Sequence, residues 1–170
     1  MSKKFSIDVD GVKMVKKQLD GVQQIENEKL ATLGDELYAF GRAVAENGFA
    51  HADYAGKNDV EVGGFVRHRT RMEVNFTIWA RGSSVLFIEF GTGVLHYEHP
   101  MADDYEMHHG TYGQGKGNNS SWVYKGEAGT SGIPVRDGVF RTTGNDPAAA
   151  MYKAWRSIQE GVEYRIRRWS

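Results

Sequence analysis

The stretch RMEVNFTIWARGSSVLFIEF, Arg71 to Phe90, carries the clearest alternation in the chain and decides what kind of fold surrounds it. Met72, Val74, Phe76, Ile78 and Ala80 fall on one side of a two-residue period; Arg71, Glu73, Asn75, Thr77 and Arg81 fall on the other. That is the pattern of a strand with one buried face. The break at Arg81-Gly82-Ser83-Ser84 leads straight into VLFIEF, which predicts a second strand paired with the first as an antiparallel hairpin. Glu89 is the single acid in that apolar run. It could be a buried carboxylate, but the expected place is an outward or interface-facing position on a sheet edge.

Upstream, KFSIDVD alternates Phe5, Ile7 and Val9 as a half-buried strand, and Asp10 is placed to cap a short helix bearing Val12, Val15 and Leu19. A longer helix is expected from Gln23 to Asn47, with Leu30, Leu33, Leu37, Phe40 and Val44 three and four apart. Gly34, Gly41 and Gly48 recur every seven residues on nearly the same face. Interior glycine costs a helix about 1 kcal/mol relative to alanine, so close backbone approach to a sheet is the expected reason, with Gly48 ending the helix. NDVEVGGFV reads as a short strand whose glycine pair signals a bulge or bend.

Downstream, SWVY and GVFRT read as two further strands. Asn145 or Asp146 then caps a last helix with Pro147 in its first turn. Met151, Trp155, Ile158, Val162, Ile166 and Trp169 form its apolar stripe, with Trp155 central to the core. Together these elements predict an α+β fold. Its mostly antiparallel sheet has about four to six strands, packed by a long helix in the N-terminal half and by a C-terminal helix. Residues 1–170 are expected to form a single domain without internal repeats.

The totals exclude several classes. Cysteine is absent, which removes disulfides, thiolate nucleophiles and Cys-based zinc sites. Lys+Arg 21 against Asp+Glu 22 lacks the basic excess that nucleic acid rewards, so no sequence-specific nucleic-acid partner is expected. The start MSKKFSIDVD has no apolar h-region, and no apolar run approaches the ~20 residues that span a bilayer. A soluble chain made inside the cell, without a membrane partner, is therefore expected.

Glycine numbers 21 of 170, against an average near 7%, and most of the excess lies between Gly91 and Gly144. From Gly91 to Ser121 the chain shows no convincing element, so 91–121 is expected to project as a long, flexible, glycine-rich loop. Loops beyond ~12–15 residues are usually functional or disordered. One reading is a metal-dependent hydrolase or nuclease using His96, His99, His108 and His109 with Glu98, Asp103, Asp104 and Glu106. No H-E-x-x-H helix is present to fix such ligands, and His96 and His99 sit in glycine-rich surroundings. GTYGQGKG carries Lys116 but does not join a strand to a helix, as a phosphate cradle would. Solvated histidines on a partner-binding loop are the expected outcome, with no catalytic residue, metal ligand or cofactor.

The ordered series FIEFGTG, HPMA, GTYGQGKGNNSSWVY and FRTTGNDPAAAMYKAWRSI resembles the small minor-capsid, head–tail joining or tail-completion proteins of long-tailed phages and prophages. The resemblance covers most of the chain and is strongest from Phe87 to Ile158. The segment KGEAGTSGIPVRDG is longer than that family's minimal hairpin turn, and its proline-rich approach to the last helix is reduced here to Pro147. The resemblance implies a non-enzymatic virion protein at the head–tail neck, assembled in the host bacterial cytoplasm. It implies a ring, hexameric on assembly, between a head-completion or connector protein and the tail-tube protein. Gly91, Thr92, Gly93, His96, His99, Tyr112, Trp122 and Tyr124 are the candidate assembly-interface residues that follow from it. A phage-derived interaction module outside the neck is the remaining alternative.

Overall fold

Alternation beginning at Glu73 produces the strand it predicts, and the elements around it follow in an α+β arrangement. The computed structural model describes residues 4–9, 27–54, 56–70, 73–126 and 132–169. Strand β1 (Lys4–Val9) precedes helix α1 (Asn27–Ala50), then strands β2 (Glu61–Thr70) and β3 (Glu73–Arg81). Two short helices, α2 (Val85–Glu89) and α3 (Ala102–Tyr105), and a 3-10 turn (Lys116–Asn118) lead to β4 (Trp122–Lys125), β5 (Ile133–Arg136) and β6 (Val139–Thr142). Helix α4 (Ala150–Trp169) closes the order. The strands form two three-stranded sheets, β1-β3-β2 and β4-β6-β5. The short helix expected after Asp10 lies outside the described residues.

The chain divides into two compact units. One takes in Lys4–Asn47, Glu61–Ala80 and Met151–Ser170, and so holds the first sheet with most of α1 and α4. Thr70 and Glu73 are separated by two residues, a connection that only antiparallel neighbours can use. Val74, Phe76, Ile78 and Ala80 are all buried, as their alternation requires. A side chain at Gly63 would run into the Trp79 indole, so this glycine of β2 makes room for an aromatic ring on β3.

Helix α1 packs through its glycines. A Cβ at Gly34 would overlap Val74 of β3, and one at Gly41 would overlap Ile158 of α4. Close approach is thus what the seven-residue glycine spacing provides. Leu30, Leu33, Leu37 and Ala45 are buried, and Tyr38 meets Phe76 edge-on at 6.1 Å. Three expectations are corrected. Phe40 is exposed, because the face set by Leu37, Gly41 and Ala45 leaves it turned away. Gly48 lies within the helix, which continues to Ala50, since the close contact with Ala150 requires a helical glycine there. On α4 the buried set is Met151, Ala154, Ile158 and Val162, so Ala154 and not Trp155 occupies the centre of the packed face. Trp155 is half-buried and tilts against Tyr152 at 5.9 Å.

The second unit comprises Gly48–Val60 and Arg81–Ala150. Here the expected hairpin strand VLFIEF is instead helix α2. Asp59 explains the change locally. Its carboxylate accepts hydrogen bonds from Ser83 N at 2.9 Å, Ser83 Oγ at 2.7 Å, and both N (2.9 Å) and Oγ of Ser84. These bonds fix the residues ahead of Val85 and take up donors that a strand would have offered to a neighbour. Partial burial by itself would raise the Asp59 pKa, but the bonds from Ser84 and Ser83 outweigh it and hold the carboxyl well below the usual range. In the second sheet β4 and β5 each pair antiparallel with β6. Strand β5 was not expected; it forms because Asp137-Gly138 makes a two-residue hairpin turn with Gly138 at φ +65°.

Two measurements check this packing. Gly34→Ala improves helix propensity by about 1 kcal/mol but places a methyl group on Val74; a net loss of about 1–3 kcal/mol in urea unfolding is expected. Phe40→Ala, on the exposed face, should change stability by no more than ~0.5 kcal/mol. For Asp59 the folded pKa lies below the unfolded value. Its stabilisation is therefore present above ~3.9 and is lost as pH falls through the folded value. Asp59→Asn should be less stable than wild type at pH 7 by no more than about 1 kcal/mol, since Asp59 is exposed and solvent screens the bonds, with the gap closing in acid.

Candidate functional site

Phe87–Gly93 and Thr142–Pro147, two stretches far apart in the chain, meet in one place. Thr92 and Asn145 form an isolated antiparallel bridge, with Thr92 N donating to Asn145 O at 2.9 Å and Asn145 N to Thr92 O at 3.0 Å. The Thr92 hydroxyl also donates to Asn145 Oδ1 at 2.8 Å, and Asn145 Nδ2 donates to Phe87 O at 3.0 Å. Both side chains are buried and hydrogen-bonded. Glycine is needed on either side of this clasp. Gly91 and Gly93 have φ of +74° and +92°, and a Cβ on Gly93 would strike the carbonyl of Thr143.

The clasp also ends α2. Ala148 N donates to Ile88 O at 2.8 Å, and Ala149 N donates to Glu89 O at 3.1 Å, satisfying carbonyls that a helix terminus leaves open. Asn145 and Pro147 are thereby committed to the clasp, and α4 starts only at Ala150. The expected capping of α4 by Asn145 or Asp146 is corrected accordingly.

Glu89 is 1% exposed, on a helix, and its expected place on a sheet edge is corrected. Its Oε1 lies 3.3 Å from Nε2 of His99, with both side chains almost wholly out of solvent. His99 Nδ1 accepts a hydrogen bond from Met101 N at 3.0 Å, which leaves the ring proton on Nε2 facing Glu89. Phe90 covers the imidazole with ring centroids 4.5 Å apart, and Tyr105 packs on Phe90 at 6.0 Å.

The excursion is therefore anchored to the unit it leaves. His99, Ala102, His109 and Tyr112 are buried; the Tyr112 hydroxyl donates to Gly91 O and His109 Nε2 lies 3.3 Å from Phe90 O. Burial raises the Tyr112 pKa, with Glu98 adding to the shift, so this hydroxyl remains a donor. The expectation of solvated histidines is corrected for His99 and His109, while His108 lies at the surface. His99 and His109 are buried, His96 Nδ1 lies 2.9 Å from Asp146 Oδ1, and His108 Nδ1 lies 3.0 Å from Glu98 Oε2. The hydrogen bond with Glu98 raises the His108 pKa and lowers that of Glu98. No group of three or more His, Asp or Glu side chains able to hold a metal ion occurs among the described residues.

Of the eight expected interface residues, Gly91, Thr92, Gly93, His99 and Tyr112 are almost wholly buried within this unit, Thr92 and Tyr112 also lining a cleft. Close-packed backbone explains the burial: these residues hold the excursion in place. His96 is half-buried, while Trp122 and Tyr124 line a cleft of about 310 Å³ with Tyr54, Phe87 and Lys116. The exposed apolar residues are different ones: Val94, Leu95 and Tyr97 early in the excursion, and Val123, Ile133 and Val135 on β4 and β5. Their signals were an aliphatic pair inside a polar stretch and the Asp-Gly turn.

No helix among the described residues is long and apolar enough to cross a membrane. His99→Leu removes the imidazole facing Glu89 and leaves a buried carboxylate without that partner. A loss of about 1–3 kcal/mol is expected in denaturant unfolding. His108→Gln, at the surface, should leave the unfolding midpoint close to that of wild type, because solvent screens its ion pairs. Equal effects from the two substitutions would contradict the buried pair.

Comparison with protein-family models, with curated proteins and with solved structures finds no match to this chain.

Proposed function

We propose that the chain is a structural virion protein of a long-tailed phage or prophage, joining or completing the tail at the head–tail neck as one subunit of a ring. The observation that carries this reading is exposed apolar surface on a unit whose own core is closed. Leu95 and Tyr97 are each 65% exposed and Ile133 is 70% exposed, although Phe90, Ile88 and Val85 of the same unit are fully buried. Seven of the ten large apolar residues exposed among the described residues belong to this unit, and an exposed apolar patch marks a surface that another protein covers. The ordered motifs of the sequence point to the neck of a virion as the place where that covering occurs. Its partners are further copies of itself, the connector or head-completion protein on one side and the tail-tube protein on the other. Nothing in this role requires chemistry, a metal or a cofactor.

Disrupting the coding sequence in the genome that carries it tests the reading. Electron microscopy of the lysate should reveal filled heads and separate tails, and added purified chain should restore joined particles. Normal tailed particles in the absence of the chain would overturn the proposal.

A further inference from the structure

The registers of β4, β5 and β6 settle which side chains share the exposed side of the second sheet. Val123 pairs with Arg141, and Arg141 with Ile133; Lys125 pairs with Val139, and Val139 with Arg136. Residues directly opposite one another point to the same side of a sheet, as do residues two apart along a strand. One side therefore carries Val123, Ile133 and Val139 together with Lys125, Arg136 and Arg141. The other carries Tyr124 and Phe140, stacked at 5.8 Å. On the first side, all but Val139 are exposed, and its three cations form no ion pair among the described residues.

Early in the excursion the same unit has a surface of opposite charge and similar apolar character. Val94, Leu95 and Tyr97 are exposed, and Glu98 follows. His108 links Glu98 to Asp103, at 3.0 Å and 3.5 Å, so these acids lie close together. Asp104 and Glu106 are exposed beside them. Three carboxylates, Glu98, Asp103 and Glu106, thus surround one imidazole and face solvent.

We infer that the acidic, apolar surface of residues 94–106 docks on the basic, apolar side of the β4-β6-β5 sheet of a second copy of this chain. Leu95 and Tyr97 cover Val123 and Ile133, while Asp103, Asp104 and Glu106 meet Lys125, Arg136 and Arg141. The choice of a second copy rests on the ring reading above and on this complementarity of charge. Two different patches on one chain make a head-to-tail contact, which builds a ring when the rotation closes. Duplex DNA is the rival occupant of the cations, but it would leave Val123 and Ile133 without an apolar partner.

Charge reversal in the full-length chain tests the contact. Arg136→Glu with Arg141→Glu should weaken self-association at least tenfold by light scattering across a concentration series. Asp103→Arg with Asp104→Arg should do the same. All four changes in one chain should restore association, with unfolding midpoints near wild type throughout because every altered residue is exposed. Failure of that rescue, a wild-type chain that stays monomeric throughout the series, or association insensitive to both reversals would overturn the contact. So would binding of a duplex oligonucleotide that is lost on Arg136→Glu and Arg141→Glu while self-association persists. The lysate experiment reads tail joining independently: joined particles with no self-association would sink this contact and leave the neck role standing.

Discussion

Thr92 and Asn145, 53 positions apart in the chain, share two backbone hydrogen bonds and one between their side chains, and much of their unit is organised around that bridge. It brings backbone to within contact of backbone, which only glycine at 91, 93 and 144 permits. It sets Ala148 and Ala149 against the open carbonyls of α2. It also places Gly91 O where the Tyr112 hydroxyl reaches it, so the excursion is tied back near its middle. A long connection whose closure entropy would otherwise leave it loose is held by a few buried polar contacts.

That arrangement separates two roles which the glycine-rich segment seemed to combine. Its buried side chains, His99, His109 and Tyr112, act inward, on Glu89, Phe90 and Gly91. The exposed ones, Val94, Leu95, Tyr97 and the acids that follow, act outward. Glu89 and His99 illustrate the inward role. Two ionisable groups out of water are tolerable when they face one another, at 3.3 Å here. A closely packed inner side is what gives the outer side a defined shape.

Glycine serves different purposes in the other unit. Gly34 and Gly41 remove side chains so that α1 can lie against β3 and α4, trading helix propensity for contact with Val74, Ile78 and Ile158. Positive φ has no part in it. The same residue type thus supports a turn in one unit and close helix packing in the other.

Much of this was legible in the sequence because it depends on local period. The alternation from Glu73 to Arg81, the seven-residue glycine spacing of α1 and the three-four spacing of α4 each follow from how side chains project along one element. So does the α+β class. The short apolar run VLFIE was ambiguous, since a run of that length suits a buried strand or a buried helix equally. Tertiary contacts decided it: Asp59 on the serines before the run, and Ala148 and Ala149 on its last carbonyls. The burial of Glu89, His99 and Tyr112 was likewise beyond reach of the sequence. A polar side chain enters a core only where partners distant in the chain converge on it, and that convergence belongs to the folded backbone.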